Sequence, residues 1–207
     1  MVRVSVNAWA ELPTLAPGDV HLWWASLAVS ASDVARFLQL LSLDERERAG
    51  RFLRDEHREN FLVGRGVLRT ILSRYLTEEA GDLRFCYSRW GKPRLHERHG
   101  DASLRFNLSH THGLALYAIT RGREIGVDLE WSGAGRDGEE IARTYFSSEE
   151  LAELSSAPGG DRSEVFLALW TRKEALLKAN GAGPGGASGC RVRRLEAPPG
   201  YIAALAL

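Results

Sequence analysis

Apolar and polar positions divide this chain into short strands and amphipathic helices. Val20 to Val29 (VHLWWASLAV) is a nearly continuous apolar and aromatic run and reads as a buried strand. Ser30 or Ser32 can cap a short helix whose apolar residues are Val34, Phe37, Leu38 and Leu41. A charged helical stretch follows from Asp44 to Asn60. A more apolar helix from Phe61 to Leu76 has Phe61, Val63, Val67, Leu68, Ile71 and Leu72 as its buried stripe. Leu83 to Tyr87 reads as a strand, Gly91-Lys92-Pro93 as a turn, and Pro93-Arg94-Leu95 as the start of another strand. Leu104–Leu108, Leu114–Thr120 and Glu124–Trp131 are three short strands whose short connections predict antiparallel neighbours.

Ser132 to Gly138 is a Gly-rich loop, and Glu139 to Tyr145 is helical. Ser147 and Glu150 form a capping-box pattern for the next helix. Another helix starts at Asp161 and ends near Asn180-Gly181, a good stop signal. Gly181 to Gly189 reads as a flexible loop. Two short strands, near Arg191–Leu195 and Tyr201–Leu207, close the chain. Residues 1–18, with Pro13, Pro17 and Gly18, read as irregular. The order of strand, helices and strands occurs twice. It predicts an α+β fold of two tandem lobes, residues 1–110 and 111–207, with a hinge near 109–113.

A length of 207 residues suits one large domain or two lobes of roughly 100 residues. Lys+Arg and Asp+Glu are both 27, so the net charge is zero, which argues against a general nucleic-acid binder. Cys86 and Cys190 are too few for a disulfide framework and lack metal-ligand spacing, so they read as reduced thiols of a cytoplasmic protein. The N-terminus does not read as a signal peptide, and no apolar run approaches the ~20 residues that span a bilayer. Only Lys92, Lys173 and Lys178 are lysines in an arginine-rich chain; a coding bias toward arginine is the first reading of this, and a local need for a compact charge at these positions is the second.

Three carboxylates carry the chemistry. Asp128 and Glu130, in Ile125-Gly126-Val127-Asp128-Leu129-Glu130, point to one face if this segment is a strand. Glu174 and Lys178, in Trp170 through Lys178 (WTRKEALLK), share one helical face. Asp128, Glu130 and Glu174 converging on one point suit a hard cation such as Mg²⁺, which keeps waters and takes further oxygens from substrate phosphates. Lys178 is then placed to meet those phosphates as a point charge. Without the cation, Glu174 and Lys178 also read as an ordinary i,i+4 ion pair. Phe166 and Trp170, one helical turn apart, read as core, as do Trp23 and Trp24. Lys173 reads as a solvated helix lysine, and His112 as a loop residue.

Four segments together resemble the Sfp-type 4′-phosphopantetheinyl transferases. They are Gly91-Lys92-Pro93, Phe106-Asn107-Leu108-Ser109-His110, Ile125 through Glu130, and Trp170 through Lys178. Arg143-Thr144-Tyr145-Phe146-Ser147 matches the family's turn before a helix, and the charged helices from residue 42 extend the likeness. The resemblance implies two α/β lobes related by a pseudo-twofold, with coenzyme A in the cleft between them. It implies Mg²⁺-dependent transfer of the phosphopantetheine arm to a serine of an acyl or peptidyl carrier protein, with release of 3′,5′-ADP. By the same resemblance Asp128, Glu130 and Glu174 would hold Mg²⁺, and Glu174 would be the base. Lys178 would meet the phosphates, and Ser109 and His110 the 3′-phosphate side. Lys92 would reach the nucleotide end, and Arg48 and Arg65 would supply basic contacts. Arg46, Arg48, Arg51, Arg54 and Arg58, interleaved with Asp44, Glu45, Glu47, Asp55 and Glu56, also read as an ordinary solvated face. A monomer is expected, with a role in secondary metabolite biosynthesis.

Two other readings stand beside this one. A metal-dependent nuclease also builds sites from two carboxylates and a lysine, but leaves Phe106 through His110 unexplained. A non-catalytic coenzyme A or carrier-protein binding module has no need of the carboxylate trio.

Overall fold

A computed structural model describes residues 2–3, 14–99, 101, 103–134, 138–181 and 190–207, with only the backbone given for 2, 3 and 134. The elements are β1 (Val2–Arg3), β2 (Val20–Ser26), α1 (Ala31–Leu40), α2 (Leu43–Gly50), α3 (Asp55–Ser73), β3 (Phe85–Tyr87) and β4 (Pro93–Leu95). They continue as β5 (Leu104–Thr111), β6 (Leu114–Arg121), β7 (Gly126–Trp131), α4 (Glu139–Tyr145), α5 (Ser148–Ser156), α6 (Arg162–Asn180), β8 (Val192–Leu195) and β9 (Tyr201–Ala206). One sheet has the order β1-β2-β6-β5 and another β7-β9-β8, and β3 and β4 form a separate hairpin. This is the α+β class expected.

The sheets lie in layers. Trp23, Tyr117 and Ile119 face Val63, Val67 and Ile71 of α3 in one core. On the other face of the same strands, Leu22, Trp24, Leu116 and Ala118 meet Val127, Leu129, Ala203 and Leu205 of the second sheet. Helix α6 covers the far side of that second sheet. Strands β2 and β6 are thus buried on both faces, which explains why they read as near-continuous apolar runs rather than alternating ones.

Several elements differ from the sequence reading. The charged stretch from Asp44 to Asn60 is not one helix. It breaks after Gly50, and its second part continues without interruption into α3, whose apolar stripe recruits the charged residues 55–60 as its first turns. Glu45 is not on a solvated face: only 1% of it is exposed, because it accepts from Arg69 Nε at 2.8 Å and faces Arg65. Strand β7 does not pair with β6 but begins the second sheet beside β9. The segment 109–113 is the β5–β6 hairpin corner inside the first sheet, so the two sheets part after Arg121 rather than at 110/111. Residues Val2–Arg3, within the stretch read as irregular, pair in parallel with β2. Residues 4–13, 135–137 and 182–189, the last two within predicted Gly-rich loops, lie outside the described residues. Among the described residues no helix is long and apolar enough to cross a membrane.

One packing contact positions the site. A Cβ on Gly126 would lie 2.0 Å from the Ala175 carbonyl oxygen and 2.3 Å from the Ala179 nitrogen. Helix α6 therefore lies directly on the β7 backbone, with Ala175 and Ala179 fully buried there. Gly126→Ala forces that helix outward, and overpacking of this kind costs about 1–3 kcal/mol. The expected result in urea denaturation is a lower midpoint with an unchanged slope.

Candidate functional site

Side chains alternate along β7. Val127 and Leu129 enter the core between the sheets, so Asp128 and Glu130 project to the face that α6 covers. Because α6 rests on Gly126, its Glu174 and Lys178 lie beside these carboxylates. Ser109 comes from the end of β5. Lys178 Nζ donates to Asp128 Oδ1 at 2.6 Å and to Ser109 Oγ at 3.1 Å. Ser109 Oγ itself donates to the same Asp128 oxygen at 2.9 Å. Asp128 is buried, and its Oδ2 has no hydrogen-bond partner among the described residues.

Two cavities meet at this cluster. The larger, about 520 Å³, is lined by Arg48, Phe61 and Arg65 on one side and by Glu174, Leu177 and Lys178 on the other, with Trp90 and Gly91 at its wall. The smaller, about 360 Å³, is lined by Asp128, Glu130, Glu174, Thr111 and Trp170. Ser109, His110, Glu174 and Lys178 line both. The larger space is rich in cations and aromatic faces, and the smaller is acidic.

The electrostatics follow this division. Burial raises the Glu174 carboxyl above its ordinary value, opposed by Lys178 and reinforced by Asp128. Burial lowers the His110 imidazole, with help from the positive charges of Lys178 and Arg65 and from His57. Arg65 is nearly buried and sits against the rings of Phe61, Phe85 and Tyr87 at 5.4–5.8 Å. Its Nη1 has no acceptor among the described residues. Glu45 faces two guanidinium groups, Arg65 and Arg69, so this wall keeps a surplus positive charge. Arg48 lies over Phe61 at the same rim. Such a wall suits a ligand with several phosphate charges.

Lys92 lines the larger cavity, but its ammonium is turned away from it. Its Nζ donates to Glu124 Oε2 at 3.1 Å, to the Ile125 carbonyl at 3.0 Å and to the Ala179 carbonyl at 3.3 Å. All three protons are used, and only 8% of the side chain is exposed. It joins the β3–β4 hairpin to the start of β7 and the end of α6. Lys173 is not simply solvated: it pairs with Glu150 at 2.7 Å and sits over Phe146. Trp23, Trp24 and Phe166 are core as expected, whereas Trp170 is half-buried at the edge of the acidic cavity.

Asn107 was not singled out from sequence. Its Oδ1 accepts from the Val127 N–H at 2.8 Å, so it ties β5 to β7, and it is 4% exposed. In LRFNLSHT it shares a face with Arg105, Ser109 and Thr111, so alternation marks it as polar-facing and gives no signal of its burial. Glu45 had no signal either, because nothing in an alternating run of charges marks the one that turns inward.

The three carboxylates border one cavity, yet among the described residues they do not close into a cluster of metal ligands. The donor set is oxygen-only, and Asp128 Oδ2 is buried without a partner. Those features fit a hard divalent cation that keeps part of its water shell.

Comparison with known proteins places this architecture. Residues 25–121 match the family described as 4′-phosphopantetheinyl transferase, N-terminal, and residues 124–202 match the 4′-phosphopantetheinyl transferase superfamily. The chain is 42% identical over 180 residues to the 4′-phosphopantetheinyl transferase HetI of Nostoc sp., spanning 86% of this chain and 76% of that protein. It is 26% identical over 195 residues to the 4′-phosphopantetheinyl transferase Sfp of Bacillus subtilis, with 84% of each covered. It is 32% identical over 124 residues to AcpT of Escherichia coli, spanning 60% of this chain and 58% of that protein. The chain belongs to the 4′-phosphopantetheinyl transferase family.

The geometry gives Lys92 a structural duty that can be measured. Lys92→Met leaves the Ile125 and Ala179 carbonyls without this donor, and each buried acceptor so orphaned costs about 1–3 kcal/mol. Thermal denaturation of Lys92→Met is expected to show a clear loss of stability.

Proposed function

We propose that this protein transfers the 4′-phosphopantetheine arm of coenzyme A to a serine of an acyl or peptidyl carrier protein. The observation that carries this reading is the pair of cavities joined at Ser109, His110, Glu174 and Lys178. One is cationic and sized for a nucleotide, the other acidic and open. Coenzyme A lies in the larger cavity. Arg48, Arg65 and His110 face its phosphates, and Lys178 reaches the pyrophosphate at the junction. Lys92 serves the same cavity by holding the Gly91 turn in place.

Asp128, Glu130 and Glu174 would hold Mg²⁺, which when bound neutralises charge on the pyrophosphate and on the departing ADP. In the transfer, the serine oxygen of the carrier forms a bond to the pantetheine-side phosphorus. The bond from that phosphorus to the bridging oxygen breaks, and 3′,5′-ADP leaves with the electron pair. Glu174 accepts the serine proton. Lys178 holds positive charge beside the leaving oxygens. One chain suffices to build both cavities, which is compatible with a monomer as the acting unit, and we place it in the cytoplasm with its carrier-protein partners.

The test is mass spectrometry of an apo carrier protein incubated with this protein, coenzyme A and Mg²⁺. A gain of one phosphopantetheine, lost on chelation, is expected. Glu174→Gln should lower turnover by about 10²–10⁴-fold, the usual contribution of a positioned base. Turnover that survives Asp128→Asn and Glu174→Gln together would remove the site as assigned.

A further inference from the structure

His112 is the one non-glycine residue with a positive φ among the described residues, at 43°. It occupies the β5–β6 corner, two positions after His110 and next to Thr111, which lines the acidic cavity. Thr111 pairs with Leu114, so His112 and Gly113 form a two-residue hairpin turn with φ of 43° and 74°, both positive as a type I′ turn requires, and histidine is among the side chains that tolerate this region. The surroundings fix the ring as well. Its ring stacks on Trp131 with centroids 4.1 Å apart. The Tyr201 hydroxyl donates to its carbonyl at 2.7 Å, and Thr111 Oγ1 lies 3.1 Å from its Nδ1. Trp131 is in turn seated on backbone, since a Cβ on Gly133 would lie 2.6 Å from its ring. A glycine at 112 would reach the same corner without strain, and a turn needs no ring. The histidine ring is nonetheless exposed to solvent.

The position of this corner relative to the two cavities gives it a purpose, and the argument rests on the function proposed above. The nucleotide occupies the larger cavity, so the acceptor serine must reach the shared residues through the acidic one. That serine is carried on a folded protein, which cannot enter and must dock at the rim. The rim on the strand side is Thr111 and on the helix side Trp170; His112 follows Thr111 at the hairpin tip, just outside the cavity, and Trp131 supports its ring from the opposite face of β7 to Glu130. We infer that the His112–Trp131 corner is a docking surface for the carrier protein, which sets acceptor affinity without touching coenzyme A. A rigid aromatic pair loses little conformational freedom on contact, which is why such pairs anchor protein interfaces.

The experiment uses the full chain and two variants, His112→Gly and His112→Phe. Glycine suits the backbone angle, so this variant keeps the fold while deleting the ring, and phenylalanine keeps a ring that can stack. The KM for an apo carrier and the Kd for coenzyme A, by calorimetry, are measured for each. The expected result is a carrier KM raised at least tenfold in His112→Gly and largely restored in His112→Phe, with coenzyme A affinity unchanged in both. A carrier KM within twofold of the unaltered protein in His112→Gly overturns the docking surface. So does an equal loss of coenzyme A affinity, which would make the corner part of the donor site or of the fold. If the unaltered protein binds no coenzyme A, the transferase reading itself falls and the docking surface with it. If it binds coenzyme A but modifies no carrier, the donor cavity stands and the docking surface falls.

Discussion

The contact of α6 with the bare backbone of β7 at Gly126 is the constraint on which the site depends. Asp128 and Glu130 are on a strand, and Glu174 and Lys178 are on a helix from a distant part of the chain. A strand and a helix normally keep their backbones apart by the thickness of their side chains. Here glycine on the strand and Ala175 and Ala179 on the helix remove that thickness, since a Cβ at 126 would lie 2.0 Å from a helix carbonyl. Lys178 can then reach Asp128 at 2.6 Å. On the strand Gly126 is two positions before Asp128, on the same face, and on the helix Ala175 and Ala179 each follow a charged residue by one position. Close approach also excludes water from the Asp128 side, which strengthens the electrostatic interactions there.

Charge is distributed so that the two sides of the site differ. The wall of the larger cavity has more cations than anions, because Glu45 must serve both Arg65 and Arg69. The smaller cavity has three carboxylates and one lysine at its edge. The first has the charge to suit a polyphosphate and the second a cation, and the two cavities share Ser109, His110, Glu174 and Lys178. The directions of the pKa shifts agree with this arrangement. His110 is pushed towards neutrality among cations, and Glu174 is pushed up by burial and by Asp128. The chain's zero net charge conceals this local separation.

The strands and the last helix were legible because their signals are local. Ser147 with Glu150, Asp161 and Gly181 bound their helices as read, with Gly181 in the left-handed conformation that ends α6. The carboxylates and Lys178 were legible because two periodicities, two on a strand and about four on a helix, place them on single faces. Other features depend on tertiary packing and leave no such trace. The inward turn of Glu45 is decided by an arginine 24 residues away, and the separation of β7 from β6 by the partner β9 at the chain's end. A division at 110/111 followed from the order of strand, helices and strands occurring twice along the chain. The sheet instead keeps β5 and β6 together, because a two-strand corner is the cheapest way to extend it. His112 was read as a loop residue. Its left-handed angle and its stack on Trp131 have no signal in the spacing of residues.

The three lysines illustrate how residue type follows from geometry. In a chain whose other cations are arginines, each lysine pairs with a carboxylate: Lys92 with Glu124, Lys173 with Glu150 and Lys178 with Asp128. Lys92 shows the reason most clearly, because its three acceptors are the Glu124 carboxylate, the adjacent Ile125 carbonyl and the Ala179 carbonyl of α6. An ammonium presents its protons radially and can satisfy all three, whereas a guanidinium presents its donors in one plane. The same reasoning applies at Lys178, where a single small charge lies between Ser109 and Asp128. Arg94 and Arg105 share Glu124 with Lys92 but approach from its more exposed side, where planar donors have room. Carboxylate contacts alone do not separate the two residue types, since Arg69 meets Glu45 at 2.7 Å; what sets Lys92 apart is its pair of backbone carbonyl acceptors beside the carboxylate.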